Sequence, residues 1–376
     1  MVLNGKGAPP GPIEYAGPLD LNGPARSKRF DNLLAETIGA AAVRLGKGVS
    51  AEAFGLPEAT GRTALQAEWR PPSIPVEDEA SVERIAPDEV LRCVLALHES
   101  VANPRPRAWD ATVDPYRVGW LAVAEAAGRY VAGGGTPASL LLYGRLACNR
   151  LDQPDSLGGL VRCALGCADA ADAHGALFVG GEVAVEEVEG DGRGAVTVTL
   201  LDAPAAGARR IQPGNFLFAV GMTRPELGGS DFARVGGAVR PQHRAAPRPA
   251  AAPFDALRAV AGLLGDGLAR SCVACGPGGL AVALAAICHA GNIGAEAQLG
   301  FVPVDPWYAY AADDAILFAE SPGRFLVEVA PGNAAALPPR LGNVPHACFA
   351  VPGGDALRVH PRLPGAADPV LFLPVR

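Results

Sequence analysis

The stretch PGNFLFAVGMTRPELGGSDFARVGG, residues 213–237, decides the fold class. Asn215 to Val220 is a short apolar run and reads as a buried strand. Gly228, Gly229 and Ser230 follow it and precede a helical start, Asp231 to Val235. Two glycines let a backbone approach a ligand closely, and Ser230 or Asp231 can cap the helix. Free N–H groups at such a helix start suit a phosphate. The same residues equally describe an ordinary left-handed turn with an N-cap, since Gly-rich turns are common.

Outward from this stretch, strands alternate with helices, which implies a layered α/β or α+β structure. On the N-terminal side, Pro87 to Ser100 and Gly119 to Val131 read as helices. Asn103 to Pro115 reads as a turn-rich loop. Leu121, Glu125 and Gly128 share one helix face, so the Glu125 carboxylate is either a solvated edge or a ligand to a cation. Ser139 to Tyr143 reads as a strand, Asp155 to Ala173 as a helix, and Ala176 to Gly180 and Ala195 to Leu201 as strands. On the C-terminal side, Phe254 to Ala269 is a helix. Gly276-Pro277-Gly278-Gly279 precedes a uniformly apolar helix, Leu280 to Ala290. Ala315 to Ala319, Arg324 to Val329 and His346 to Val351 read as strands. Arg29 to Arg44 carries a helical stripe inside a leader rich in Gly, Pro and charge. The expected division is an extension and linker over 1–82, an N-terminal domain over 83–211 and a C-terminal domain over 212–376.

The chain has 376 residues, 49% hydrophobic and 19% charged, with 47 glycines and 35 prolines. That length favours two domains over one simple core. Net charge is −7 with no basic block, which argues against a nucleic-acid or anionic-membrane partner. No signal peptide and no apolar run of ~18 residues is present, so a soluble, cytoplasmic protein is expected. The eight cysteines are scattered through apolar segments, as suits reduced, buried thiols. Cys272 and Cys275 form the one tight pair, with no second pair and no His pair at zinc spacing after them.

Four ordered motifs carry a resemblance: DPYRVGWLAVAEAAGR (114–129), GNFLFAVGMTRPELGGSDFARV (214–235), GGLAVALAAICHAGNIGA (278–295) and LFAESPGRFLVEVAPGN (317–333). The shorter LLYGRLACN (141–149) and FVGGEVAVEE (178–187) fall in order between them. Together they resemble the second half of phosphoribosylformylglycinamidine synthase, within the aminoimidazole ribonucleotide synthetase-like superfamily. The resemblance implies an α/β, PurM-like two-domain module, with an α+β N-terminal domain plus an α/β C-terminal domain. It implies ATP-dependent amidine formation in purine biosynthesis, with ATP or ADP and Mg²⁺ as cofactors. Carried over by motif, Glu125 is a metal ligand, and Asn149, Gly180 and Gly181 are nucleotide or substrate edges. Gly228, Gly229, Ser230, Gly278 and Gly279 are contacts to a substrate phosphate. Implied partners are a small-molecule substrate and a homodimer mate, a second synthase module or a glutaminase subunit.

The departures from the family pattern fall on ligands. The family's asparagine four residues after Glu125 is Arg129, which places positive charge where a cation should sit. A histidine-aspartate pair reads Val273-Ala274, and the following turn has lost its serine and aspartate. Trp109 to Asp114 bridges where a longer hairpin would lie. Three readings follow: a divergent synthase module acting with a second module, a catalytically degenerate interaction protein of the same fold, or a small-molecule phosphotransferase of the wider superfamily.

Overall fold

A computed structural model describes residues 90–92, 94, 106–109, 113–149, 154–186, 188, 192–201, 210–237, 239–248, 253–308, 311–363 and 368–375. The leader (1–82) with its Arg29 to Arg44 helix, and most of the Pro87 to Ser100 helix, lie outside them. Of the latter, residues 90–92 and 94 are helical. The described residues divide into two compact units, 106–126 with 140–201, and 90–94 with 127–139 and 210–375.

The first unit has a four-stranded sheet of β1 (Arg107–Trp109), β2 (Leu141–Cys148), β3 (Leu177–Val185) and β4 (Gly194–Leu201), in the order β1-β4-β2-β3. β2 and β3 run parallel, and the other neighbours are antiparallel. Helix α2 (Pro154–His174) connects the parallel pair and packs on β2, β3 and β4. Helix α1 (Pro115–Ala132) begins in this unit and crosses the division after Ala126. α1 and α2 meet backbone to backbone. A Cβ on Gly119 would lie 2.1 Å from the Cys163 carbonyl oxygen, and one on Gly166 would lie 1.9 Å from that of Tyr116. Two helix-interior glycines are therefore demanded by packing, despite the ~1 kcal/mol that each costs the helix.

The second unit holds a seven-stranded mixed sheet of β5 (Phe216–Val220), β6 (Ala269–Ala274), β7 (Ala295–Gln298), β8 (Phe325–Val329), β9 (His346–Pro352), β10 (Ala356–His360) and β11 (Leu371–Pro374). Its order is β11-β10-β7-β9-β5-β8-β6. β7 and β10 pair in parallel, the other neighbours antiparallel. Every residue of β8 is buried, as suits an inner strand. The helices are α3 (Asp231–Arg234), α4 (Pro253–Gly265), α5 (Gly279–Gly291), α6 (Asp313–Phe318) and α7 (Leu337–Leu341). α5 packs against β6, β8, β10 and α6, so its uniformly apolar surface is buried. The architecture is α/β in two units.

Several local expectations change. Ala315 to Ala319 is not a strand: α6 spans Asp313–Phe318. Its five apolar residues carry no period, and the acid pair Asp313-Asp314 suits a helix start. The helix expected to Ala269 ends at Gly265, and β6 follows. β1 lies inside the expected loop from Asn103 to Pro115. No described helix is long and apolar enough to cross a membrane.

Candidate functional site

β5 ends at Val220, and residues 221–230 lead to α3. Ser230 is the N-cap of α3, and its Oγ accepts the Ala233 N–H at 3.3 Å. The Gly228 N–H donates to the Ala245 carbonyl at 2.9 Å, and a Cβ on Gly228 would lie 2.1 Å from the Arg244 carbonyl oxygen. Gly229 has φ +68° and is the exposed member of the turn. The second glycine turn caps α5. Gly278 and Gly279 have φ +74° and +62°. The Gly279 N–H donates to the Gly276 carbonyl at 2.9 Å, and its missing Cβ would sit 2.4 Å from the Ala319 carbonyl oxygen.

One carboxylate joins the two turns. Glu320 is 2% exposed, and its Oε1 accepts the Asp231 N–H at 2.8 Å and the Gly278 N–H at 2.9 Å. The starts of α3 and α5 therefore share an internal anion where the sequence suggests a phosphate. The next residues brace the same loop. The Ser321 hydroxyl accepts the Arg224 N–H at 2.8 Å and donates to the Arg224 carbonyl at 2.9 Å. Buried Arg324 donates to Thr223 Oγ1 at 2.6 Å and to the Ala319 carbonyl. Burial lowers the pKa of this guanidinium, against the opposing pull of Cys275 and Glu320. The ligands that the resemblance implies do not include Glu320. The signal for its role is an acid closing the buried apolar run Ile316-Leu317-Phe318-Ala319.

In the first unit, Glu125 projects from α1 onto Arg107 of β1. Arg107 Nε donates to Glu125 Oε2 at 3.1 Å and Nη2 to Oε1, and the side chains are 10% and 11% exposed. Both carboxylate oxygens are thus taken by a fork of donors. Arg129 follows one turn later on the same helix. Among the described residues, no group of three or more His, Cys, Asp or Glu is placed to hold a metal ion. With both oxygens held by a guanidinium, Glu125 in this arrangement does not suit a divalent cation. Asn149 accepts the Val188 N–H at 2.9 Å and donates to the Gly192 carbonyl at 3.0 Å, pinning the β3–β4 connection at both ends of its amide. Gly180 and Gly181 stand in β3 opposite Tyr143 and Gly144 of β2, beside a register shift.

Another buried ion pair of this unit joins the first residue of the 114–129 motif to a residue outside every quoted motif. Asp114, just before α1, accepts the Tyr116 N–H at 3.1 Å and a two-point contact from Arg162 of α2 at 2.5 and 2.9 Å. The Tyr116 hydroxyl donates to Asp169 at 2.8 Å, and burial together with that carboxylate pushes the phenol well above its ordinary range. Cys272 and Cys275 are both buried, and burial raises both thiols, so neither is a ready nucleophile or metal ligand.

The model for the N-terminal domain of AIR synthase related protein matches residues 78–201, and that for its C-terminal domain matches 212–343. The phosphoribosylformylglycinamidine synthase subunit PurL of Thermococcus gammatolerans is 32% identical over 242 residues, 60% of this chain and 31% of the relative. That of Methanosarcina mazei is 28% identical over 264 residues, 68% and 35%. The chain spans about a third of the length of these curated relatives. Among solved structures, T. maritima PurL complexed with FGAR aligns with TM-score 0.54 at 17% identity, over 90% of this chain and 55% of that one. T. maritima PurL complexed with AMPPCP aligns with TM-score 0.50 at 20% identity, over 69% and 41%. Both domain models fall in order on one chain whose two units hold the matched motifs, and the chain therefore belongs to the AIR synthase related family.

Proposed function

We propose that this chain is a divergent phosphoribosylformylglycinamidine synthase-like module of purine biosynthesis, which supports ATP-dependent amidine formation only together with a second module or subunit. The observation that carries this reading is the Arg107–Glu125 pair. It takes up both carboxylate oxygens of the expected metal ligand, while the Gly228-Gly229-Ser230 turn of the second unit keeps its family sequence. A nucleotide–metal centre would then come from the other module, and this chain would contribute fold and paired surface. The T. maritima structures support the setting: PurL is complexed with FGAR in one and with AMPPCP in another, and a third is PurLQS, although only the fold is shared at such identities. Asn149, Gly180, Gly181, Gly229 and Ser230 remain the proposed edges toward substrate, and the expected compartment is the cytoplasm.

A second reading has its own observation. Glu320 fills the anion position shared by α3 and α5 from within the chain, which suits a catalytically degenerate interaction protein. The test is conversion of FGAR to the amidine with ATP, Mg²⁺ and ammonia, by the chain alone and mixed with its natural partner module. The proposal expects turnover in the mixture only. Turnover by the chain alone, or micromolar Mg²⁺-dependent ATP binding to it in calorimetry, overturns the closed-site argument. No turnover in either arm favours the degenerate reading.

A further inference from the structure

A cavity of about 690 Å³ opens in the second unit, and its lining does not include Gly228, Gly229, Gly278 or Gly279. Its floor is where β5 ends beside the start of β8, at Gly221-Met222 and Pro322-Gly323. One wall is α4 and the other is the segment from Arg340 to Pro345. That volume lies in the range of small-molecule sites, ~300–1,000 Å³. Buried Leu263 and Leu341 give it an apolar base.

Two independent features point to a ligand. The first is charge. Arg224, Arg258 and Arg340 line the cavity against Asp255 and Asp305, in a chain whose net charge is −7. Arg224 touches Asp305 at 3.3 Å, Arg258 touches Asp255 at 3.1 Å, and Arg340 touches Asp266 at 2.5 Å. Each of these contacts uses one edge of a guanidinium, so most of the N–H donors of all three remain for another acceptor. The second is Gly262. It lies inside α4 on the cavity wall, where glycine costs ~1 kcal/mol relative to alanine. Its φ is not positive, and a Cβ there would meet nothing within 4 Å. Packing inside the chain gives no reason for this glycine, in contrast to Gly119 and Gly166. Close approach of something from outside the chain does give one.

We infer that this cavity is a binding site for a small anionic metabolite. Its phosphate or carboxylate is held by the Arg258 and Arg340 guanidinium groups, and its body lies along α4 at Gly262. The planar fork of Arg matches both kinds of acid oxygen, so the two sources share one chemistry. The site is independent of the proposed synthase role, because its ligand contacts use none of the residues proposed for that role.

The full chain is titrated calorimetrically with inorganic phosphate, with ribose 5-phosphate and with citrate. Saturable binding of at least one, stronger than about 1 mM, is expected. Binding of the phosphates alone identifies a phosphoryl ligand, and binding of citrate alone a polycarboxylate. Arg340→Ala and Arg258→Ala each weaken it about ten-fold, the loss expected for one charge-assisted hydrogen bond. Gly262→Leu abolishes it while leaving the helix intact, since Leu is a better helix former. Arg358→Ala, on β10 and outside the cavity lining, leaves it unchanged. No saturable binding of any probe, or binding indifferent to Gly262→Leu and both Arg variants, overturns the assignment.

Discussion

Replacing Glu320 tests whether an internal anion holds the two glycine turns. In Glu320→Ala, the Asp231 and Gly278 N–H groups lose acceptors now at 2.8 and 2.9 Å. The Gly278 end lies fully in the interior and the Asp231 end is half-buried. An unsatisfied buried donor costs ~1–3 kcal/mol, so the pair costs about 4 kcal/mol. Glu320→Gln keeps an oxygen that can accept both N–H groups and loses only the charge at two helix starts, which is worth about 1–2 kcal/mol. Urea denaturation gives the two totals. Hydrogen exchange at the Asp231 and Gly278 amides gives the local effect, and both should exchange much faster in the Ala variant than in the Gln variant. An Ala variant that loses less than about 1 kcal/mol would mean that the carboxylate does not hold the turns. A Gln variant as damaged as Ala would mean that charge, and not the pair of hydrogen bonds, is the term that matters.

Three further outcomes concern the first unit. Arg107→Ala leaves the nearly buried Glu125 without its donor fork and costs about 3 kcal/mol in chemical denaturation, and adding Glu125→Gln recovers part of that loss in a double-mutant cycle. His174 is fully buried, and burial lowers its pKa from 6.5 to about 4, although Nδ1 lies 2.7 Å from the Ala170 carbonyl in a contact that favours protonation. The unfolded chain takes a proton near pH 6.5 and the native chain only near pH 4, so the stability present above pH 6.5 is lost as pH falls through this window. The loss reaches about 3 kcal/mol at pH 4, and denaturation midpoints at pH 7, 5.5 and 4 should fall less steeply in His174→Gln. Gly119→Ala drives a methyl into the Cys163 carbonyl at 2.1 Å and should cost about 3 kcal/mol or more by thermal melting, where Gly262→Ala is neutral or stabilising.

The parts of the fold that are legible in the sequence are those whose pattern is local. β5 and α5 declare themselves by apolar runs between glycine turns, and α1 by a long apolar run that ends at the triple glycine 133–135. The strands that escape a sequence reading lack that signal. β7 is Ala-Glu-Ala-Gln, which alternates correctly but with alanine at its buried positions, a residue depleted in strands. β1 has three residues. α6 reads as a strand because a short apolar run inside a core has no period. The candidate site is legible as motif and illegible as contact. Glu320 bonds to residues 89 and 42 positions away, and Arg107 reaches Glu125 across a segment that reads as loop. No sequence spacing carries either pairing, since both depend on where the sheets end.

The retained glycines separate two explanations that a motif match merges. A glycine kept for a ligand faces open space, and a glycine kept for the fold faces its own chain. Gly228 faces the backbone of Arg244 to Ala246, and Gly279 faces the Leu317 and Ala319 carbonyls, so a side chain at either would displace a strand-to-helix connection. Gly278 donates its N–H inward to Glu320. These positions would be held by packing even if no phosphate ever bound, and their agreement with the family is evidence of fold first. Two other glycines differ: Gly229 is exposed with positive φ, and Gly262, outside the quoted motifs, lies in open space inside a helix. Ligand chemistry in the second unit is therefore better sought at these two glycines than at Gly228, Gly278 or Gly279.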